Sequence, residues 1–181
     1  MGLWTRMGKL GSIVGKPPTH SRVLYGMATL ISPLQVGDVA PGFSCPDQNG
    51  NIRTLGEFHG QKLVLYFYPK DNTPGCTSQA CNLNDNLVAL TKAGYIILGV
   101  SKDPAKSHQK FIDKFSLKFD LLCDEDLSVH QAYGVWGPKK FMGREFDGTH
   151  RTTFVIDDNG VLENVIAKPK VKAHAEEILK L

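Results

Sequence analysis

The residues in this chain that are best suited to chemistry are two cysteines five positions apart, Cys76 and Cys81. Both lie in the stretch YFYPKDNTPGCTSQAC, which begins at Tyr66 and ends at Cys81. A cysteine thiolate is a strong nucleophile, and a second thiol nearby can close it into a disulfide. The stretch therefore suits a protein that uses a thiolate once as a nucleophile and then converts it into a disulfide.

Cys76 lies where a helix is expected to begin. The apolar and aromatic run from Lys62 to Tyr68 predicts a strand that is buried on both faces. After it, Thr73-Pro74-Gly75 offers an N-cap residue, a proline suited to a first helical turn and a glycine that lets the backbone approach a ligand. A helix N-terminus stabilises a thiolate through unpaired N–H groups and a partial positive charge, so we expect Cys76 to be the nucleophile.

Other groups could complete a site around Cys76. Thr73 can offer a hydroxyl, Gly75 and Cys76 supply the first backbone donors after Pro74, and Arg151 is a candidate cation from the other end of the sheet. Such a site suits a small substrate with two oxygens, of which peroxide is the obvious one. The sulfur would attack one oxygen, and the other would leave as water or alcohol, which makes a sulfenic acid of Cys76.

The spacing of Cys76 and Cys81 limits how they can react with each other. In a continuous helix, residues five apart have Cα atoms about 8.7 Å from each other. A disulfide tolerates at most about 7 Å. Either the two thiols never bond, or the first turns unwind during turnover. Residues 73–81 are rich in Thr, Ser, Gly and Pro, which are weak helix formers, so unwinding is feasible.

Strands and helices are predicted to alternate along the chain. Strands are expected at 43–45, 52–54, 62–68, 95–101, 121–123, 152–157 and 161–167, and helices at 73–92, from 103 onwards, at 124–134 and at 171–179. Alternation of this kind favours an α/β fold, a thioredoxin-like sandwich in which a central mixed β-sheet carries helices on both faces.

Charge and hydropathy exclude several classes of function. The chain of 181 residues carries a net charge of +3, but four of its basic residues precede the first acid, Asp38. The remainder holds 17 of the 21 basic residues and all 18 acidic ones. This near-neutral body gives no electrostatic case for binding nucleic acid. Since no apolar run approaches the roughly 18 residues that span a bilayer, we expect no membrane association.

Residues 1–32 show no periodicity, and we interpret them as an N-terminal extension that is disordered, followed by one domain over 33–181. Basic residues without acids resemble an organelle presequence. The alternatives are an unstructured tail or a start codon assigned too early, with Met27 as the true start. We expect a cytoplasmic protein, or an organellar one if residues 1–32 are a presequence.

The remaining cysteines and a histidine have structural interpretations. Cys45 and Cys123 alternate with apolar residues or end a strand, so we expect buried hydrophobes. His108 continues the apolar stripe of a helix, which indicates a partly buried helix residue rather than a ligand. No C-x2-C or H-x3–5-H pair is present, so the sequence predicts no zinc site.

Several stretches of the chain resemble the peroxiredoxins. Their motif P-x-x-x-T-x-x-C is matched by Pro69, Thr73 and Cys76, and the C-x4-C spacing to Cys81 is similar to the bacterioferritin comigratory protein, or peroxiredoxin Q, branch. Further matches are PLQVGDVAPGFSCPDQNG from Pro33, GVWGPKKFMG from Gly134 and HRTTFVID from His150. Together they cover residues 33–181.

The resemblance implies a thiol peroxidase that reduces hydrogen peroxide and organic hydroperoxides. Cys76 would be the peroxidatic cysteine, Thr73 and Arg151 would position and polarise the peroxide, and Pro69 would shield the pocket. Cys81 would resolve the sulfenic acid into an intramolecular disulfide that a thioredoxin reduces.

The resemblance further implies a protein with no metal or organic cofactor, and one that acts as a monomer. One position differs from many relatives, because Gln79 stands where they carry Glu. An amide can hydrogen-bond to the backbone or to Arg151, but it adds no charge beside the thiolate.

Two rival functions use the same cysteines. A general disulfide reductase of thioredoxin type normally has C-x-x-C, in which the sulfurs lie close together without unwinding, so the C-x4-C spacing argues against it. A peroxide sensor would pass its disulfide to a client protein. It would differ from the peroxidase only in the partner.

Overall fold

The computed structural model of this chain describes residues 34–181, and the predicted extension over 1–32 lies outside them. The strands are β1 Ser44–Pro46, β2 Ile52–Thr54, β3 Lys62–Phe67, β4 Tyr95–Ser101, β5 Asp120–Cys123, β6 Trp136–Phe141, β7 Arg144–Thr149, β8 Thr152–Ile156 and β9 Leu162–Ile166. The helices are a short 3-10 turn Leu55–Phe58, α1 Pro74–Asp85, α2 Leu87–Lys92, α3 Ala105–Phe115, α4 Ser128–Ala132 and α5 His174–Ile178.

Five strands form a mixed central sheet in the order β5-β4-β3-β8-β9. β3 pairs in parallel with β4, and β4 in parallel with β5, because helices provide the crossovers that parallel neighbours need. β8 is antiparallel to both β3 and β9. The predicted α/β fold with a mixed sheet is thereby confirmed.

The central strand β3 is buried on both faces, as its apolar run predicts. Because side chains alternate along a strand, Leu63, Leu65 and Phe67 join the core on one face. Val64 and Tyr66 join the core on the other face. The second core contains residues of α1, α2, α3 and α5, whereas the first contains residues of α4 and the β1 region, so helices cover both faces.

Three predicted helices differ from the observed ones. The expected helix over 73–92 is interrupted at Asn86, which ends α1 and precedes α2. The side chain of Asn86 donates a hydrogen bond to the backbone oxygen of Asn82, and such local bonds compete with helix continuation. α4 begins at Ser128 rather than at Asp124, and α5 at His174 rather than at residue 171.

The hairpin of β6 and β7 was not predicted from the sequence. The strands pair with each other and not with the central sheet, and β7 is exposed except at its last two residues. Met142 and Gly143 connect them with positive φ angles of 49° and 79°. β7 ends two residues before Arg151, so the hairpin leads the chain back to the site.

None of the helices in the part of the chain that the structure describes is both long and apolar enough to cross a membrane.

Candidate active site

The loop from β3 to α1 carries two of the predicted site residues. Pro69 follows the strand and is partly buried. Thr73 occupies the N-cap position with an extended backbone, and Pro74 is the first helical residue, as predicted. The Thr73 side chain does not cap the helix, because its hydroxyl donates a hydrogen bond to the Lys70 carbonyl at 2.9 Å. Its proton is therefore engaged within the loop.

Cys76 lies in the first turn of α1, where the backbone N–H groups have no helical partner. Its side chain is buried, with 2% of the residue exposed. Nη2 of Arg151 donates a hydrogen bond to Sγ of Cys76 at 3.2 Å. A guanidinium and the positive end of a helix both stabilise negative charge on this sulfur.

Arg151 also holds the neighbouring turn of the helix. Its Nη1 donates a hydrogen bond to Oε1 of Gln79, which is one of the two partners expected for this amide. Gln79 is fully buried, and its Nε2 has no hydrogen-bond partner. At Gly75, an added Cβ would lie 3.4 Å from Nη2 of Arg151, so the glycine leaves the guanidinium room beside the helix.

A buried carboxylate–histidine pair braces the loop before Cys76. Asp71 accepts hydrogen bonds from the hydroxyl groups of Tyr68 and Ser107, both at 2.7 Å. Nδ1 of His108 lies 2.9 Å from the same carboxylate, and its Nε2 lies 3.1 Å from the Leu122 carbonyl. His108 is in a helix, as predicted, but it is completely buried and forms part of this network.

A second pair braces the segment before Arg151. Nδ1 of His130 lies 2.5 Å from Asp124, and its Nε2 lies 3.0 Å from the hydroxyl of Thr149. All three side chains are buried. The chain is thus fixed two residues before the guanidinium that contacts Cys76.

The electrostatics of both carboxyl groups follow from these contacts. Burial raises the pKa of Asp71, but the hydrogen bond and charge of His108, with the two hydroxyl donors, outweigh it, so the pKa lies below its usual value. The pKa of Asp124 is lowered in the same way, because His130 and the backbone N–H groups of α4 offset burial. Both groups therefore remain carboxylates at neutral pH.

Neither pair was predicted, because their members lie far apart in the sequence or match no motif.

Cys81 lies on the same helix as Cys76 and is partly buried. Burial and the charge of Asp85 raise the pKa of Cys81, so it is a thiol at neutral pH. Cys45 and Cys123 are buried, as predicted, and burial raises the pKa of each to about 12. None of the four cysteines is in a disulfide bond.

Among residues 34–181, no cluster of three or more His, Cys, Asp or Glu side chains is arranged to hold a metal ion.

A thioredoxin-like sandwich with a buried, arginine-bound cysteine in the first turn of a helix defines a thiol-based redox protein. The chain belongs to the AhpC/TSA family, whose model matches residues 36–165. It is 48% identical over 149 residues to peroxiredoxin Bcp of Escherichia coli K12, which covers 82% of this chain and 96% of that protein. It is thus a peroxiredoxin of the Bcp and peroxiredoxin Q type, as the resemblance implied.

Solved structures give the same assignment. Peroxiredoxin Q of Xanthomonas campestris matches with a TM-score of 0.72 and 38% identity, over 76% of this chain and 87% of that one. A Cys-to-Ser variant of Xylella fastidiosa PrxQ matches with a TM-score of 0.76 and 32% identity, over 82% of this chain and 95% of that one. The bacterioferritin comigratory protein of Xanthomonas campestris, described for its alkyl peroxide reduction activity, also matches. Its TM-score is 0.72 and its sequence identity 37%, over 76% of this chain and 88% of that one.

Proposed function

We propose that this protein is a thiol-specific peroxidase that reduces hydrogen peroxide and organic hydroperoxides through Cys76. The observation that carries the proposal is the hydrogen bond from Arg151 to the Cys76 sulfur at the start of α1. Membership of the peroxiredoxins supports the peroxidase activity. The alkyl peroxide reduction activity of the Xanthomonas campestris relative supports organic hydroperoxides as substrates.

In the first step, the Cys76 thiolate attacks one peroxide oxygen and the O–O bond breaks. The other oxygen takes the bonding electrons and a proton and leaves as water or alcohol, while Cys76 becomes a sulfenic acid. Arg151 would stabilise the charge that develops on the oxygens. Because the Thr73 hydroxyl donates to Lys70, its oxygen can accept a hydrogen bond from the peroxide. Pro69 would shield the sulfenic acid from water.

In the second step, Cys81 attacks the sulfenic sulfur, water leaves, and an intramolecular disulfide forms. The spacing of about 8.7 Å along an intact helix requires α1 to unwind locally. A thioredoxin would then reduce the disulfide. Both cysteines lie on one chain, so a monomer over residues 33–181 suffices, and a cytoplasmic location would provide the reductant.

Substitution of each cysteine tests the two steps separately. Cys76→Ser is expected to abolish peroxide consumption. Cys81→Ser is expected to keep the first oxidation, lose turnover with thioredoxin, and over-oxidise more readily. The control is Cys123→Ala, which should turn over normally. Non-reducing mass analysis after one equivalent of peroxide identifies which sulfurs join, and normal thioredoxin turnover by Cys81→Ser would disprove the resolving role.

A further inference from the structure

The C-terminal half of α1 is fastened to other elements by asparagine side chains. Oδ1 of Asn82 accepts a hydrogen bond from the backbone N–H of Ala175 in α5 at 2.8 Å. Nδ2 of Asn82 donates to the Glu176 carboxylate at 3.2 Å. These bonds hold the residue directly after Cys81 against a second helix.

Two more residues fix the same half of the helix. Asn84 accepts a hydrogen bond from the backbone N–H of Lys118 at 2.8 Å and donates one to the Ser116 carbonyl at 3.3 Å. Leu83, between the two asparagines, is completely buried in the core. Unwinding that passed Cys81 would break these bonds and expose an apolar side chain to water.

The N-terminal half is held differently. Within the described residues, side-chain hydrogen bonds between residues 74–81 and other elements come from Arg151 alone, which donates to Cys76 and Gln79. The Ser78 hydroxyl bonds only within the helix, to the Pro74 carbonyl. The bond to Cys76 weakens when the thiolate becomes a sulfenic acid, because the negative charge is lost. Unwinding would also give the unpartnered Nε2 of Gln79 access to water.

We propose that Asn82 is a positioning residue that ends the unwinding of α1 directly after Cys81, so that Cys76 moves to a Cys81 that stays in place. This inference rests on the proposed function, in which Cys81 resolves Cys76. The Cα atoms of Cys76 and Cys81 are about 8.7 Å apart in an intact helix, so they must approach each other by only about 2 Å to reach the distance that a disulfide allows. Release of the turns before Cys81 allows this movement, whereas release of Cys81 itself would lower its effective concentration at the sulfenic acid.

The step needs no additional reagent. The Cys81 sulfur, once it has lost its proton, attacks the Cys76 sulfur and forms the S–S bond. The S–O bond breaks, and its oxygen leaves with both electrons and takes a proton, so that water is released. Cys81 is oxidised and the sulfenic acid is reduced to the disulfide level.

Hydrogen exchange on the full chain, before and after one equivalent of peroxide, maps the extent of unwinding. In the disulfide form we expect the amides of residues 77–84 to lose protection, because their carbonyl acceptors, in residues 73–80, lie in the unwound turns. The amide of Ala175, which donates to Asn82, is expected to stay protected. Loss of protection at Ala175 on oxidation would overturn the proposal.

The variants Asn82→Ala and Asn84→Ala form a matched pair, because each removes one amide that bonds to the backbone of a neighbouring element. We expect Asn82→Ala to keep the rate of Cys76 oxidation but to slow disulfide formation by about tenfold, with more over-oxidation. Asn84→Ala should change the ratio of the two rates by less than about twofold. A merely structural role would not separate the two steps.

The outcomes distinguish this inference from the function on which it rests. If mass analysis shows no disulfide between Cys76 and Cys81 in the unsubstituted protein, the proposed resolving role of Cys81 and the role of Asn82 are both wrong. If the disulfide forms but Asn82→Ala and Asn84→Ala have equal rate ratios, or Asn82→Ala accelerates disulfide formation, only the role of Asn82 is wrong.

Discussion

Arg151 and Cys76 are 75 positions apart in the sequence, yet Nη2 of the arginine lies 3.2 Å from the cysteine sulfur. The contact exists because β8 pairs with β3 antiparallel, so the start of β8 lies beside the end of β3, from which the chain leads to α1. One positive charge thus faces a sulfur that already lies in the first turn of a helix. The same guanidinium is available to developing charge on a peroxide.

Loss of this guanidinium should slow the peroxide step without unfolding the protein. We expect Arg151→Ala to reduce the rate of Cys76 oxidation by about 10²-fold, as is typical when one preorganised donor is removed. Arg151→Lys keeps the charge but not the two-pronged geometry, so an intermediate loss is expected. Stopped-flow measurement with hydrogen peroxide gives the rate, and the exposed Arg144→Ala is the control. An unaffected rate would remove Arg151 from the site.

The amide of Gln79 leaves the charge of Arg151 uncompensated, so a carboxylate there should weaken its effect on Cys76. We expect Gln79→Glu to keep activity but to slow Cys76 oxidation by about threefold to tenfold, which corresponds to roughly 1 kcal/mol. Gln131→Glu, at an exposed position of α4 that has no hydrogen bond to Arg151, adds the same charge and is the control. Equal rates in both variants would contradict the prediction.

The sequence was sufficient to predict the central sheet and to select Cys76 as the cysteine that contacts Arg151. The run from Lys62 to Tyr68 and the turn before Cys76 are local signals, and the structure has the strand and the helix start where they indicate. The catalytic roles assigned to Pro69, Thr73, Cys76, Cys81 and Arg151 stay predictions.

The missed features depend on side-chain contacts and strand pairings that the hydrophobic pattern of the sequence does not indicate. His108 and Asp71 are 37 positions apart, and neither has a local pattern that indicates its partner. The hairpin of β6 and β7 contains Pro138 and shows no clear alternation of polar and apolar residues. The helix breaks at Asn86, where the side chain bonds to the backbone oxygen of Asn82 and competes with helix continuation. The spacing of apolar residues does not indicate such a bond.

Two tyrosines that are two positions apart, at and just after the end of β3, should respond oppositely to loss of their hydroxyl groups. The Tyr66 hydroxyl is buried without a hydrogen-bond partner, whereas that of Tyr68 donates to Asp71 at 2.7 Å. We expect Tyr66→Phe to stabilise the protein by about 1 kcal/mol and Tyr68→Phe to destabilise it by a similar amount. Urea unfolding of both variants measures the free energies, and a destabilised Tyr66→Phe would show that its hydroxyl has a partner.

The backbone of Gly99 lies close to the aromatic ring of Tyr66. A Cβ at Gly99 would lie 2.6 Å from a methyl carbon of Leu121 and 2.9 Å from the Tyr66 ring. Gly99→Ala should therefore destabilise the protein by roughly 1–3 kcal/mol, because the core has no space for the methyl group. Gly56→Ala, where the nearest atom lies at 3.9 Å, is the control in the same unfolding measurement. Similar losses in the two variants would contradict the steric explanation.

The carboxylate of Asp71 should make stability depend on acidity. Its pKa is lower in the folded protein than the usual value of 3.8, because His108 and two hydroxyl groups outweigh the effect of burial. A carboxyl group with a lowered pKa contributes stability above its unfolded value, and the contribution is lost as the pH falls through the folded value. We therefore expect the free energy of unfolding to fall below about pH 4, with Asp71 among the causes.

Substitution isolates the part due to this residue. Asp71→Asn should cost about 1–3 kcal/mol at neutral pH, because the buried donors lose a charged acceptor, and should leave a weaker dependence on acid. Urea unfolding at several pH values measures both quantities, with Asp113→Asn on the exposed face of α3 as the control. If Asp71→Asn loses stability in acid as steeply as the unsubstituted chain, the acid sensitivity arises elsewhere, with Asp124 the next carboxylate to test.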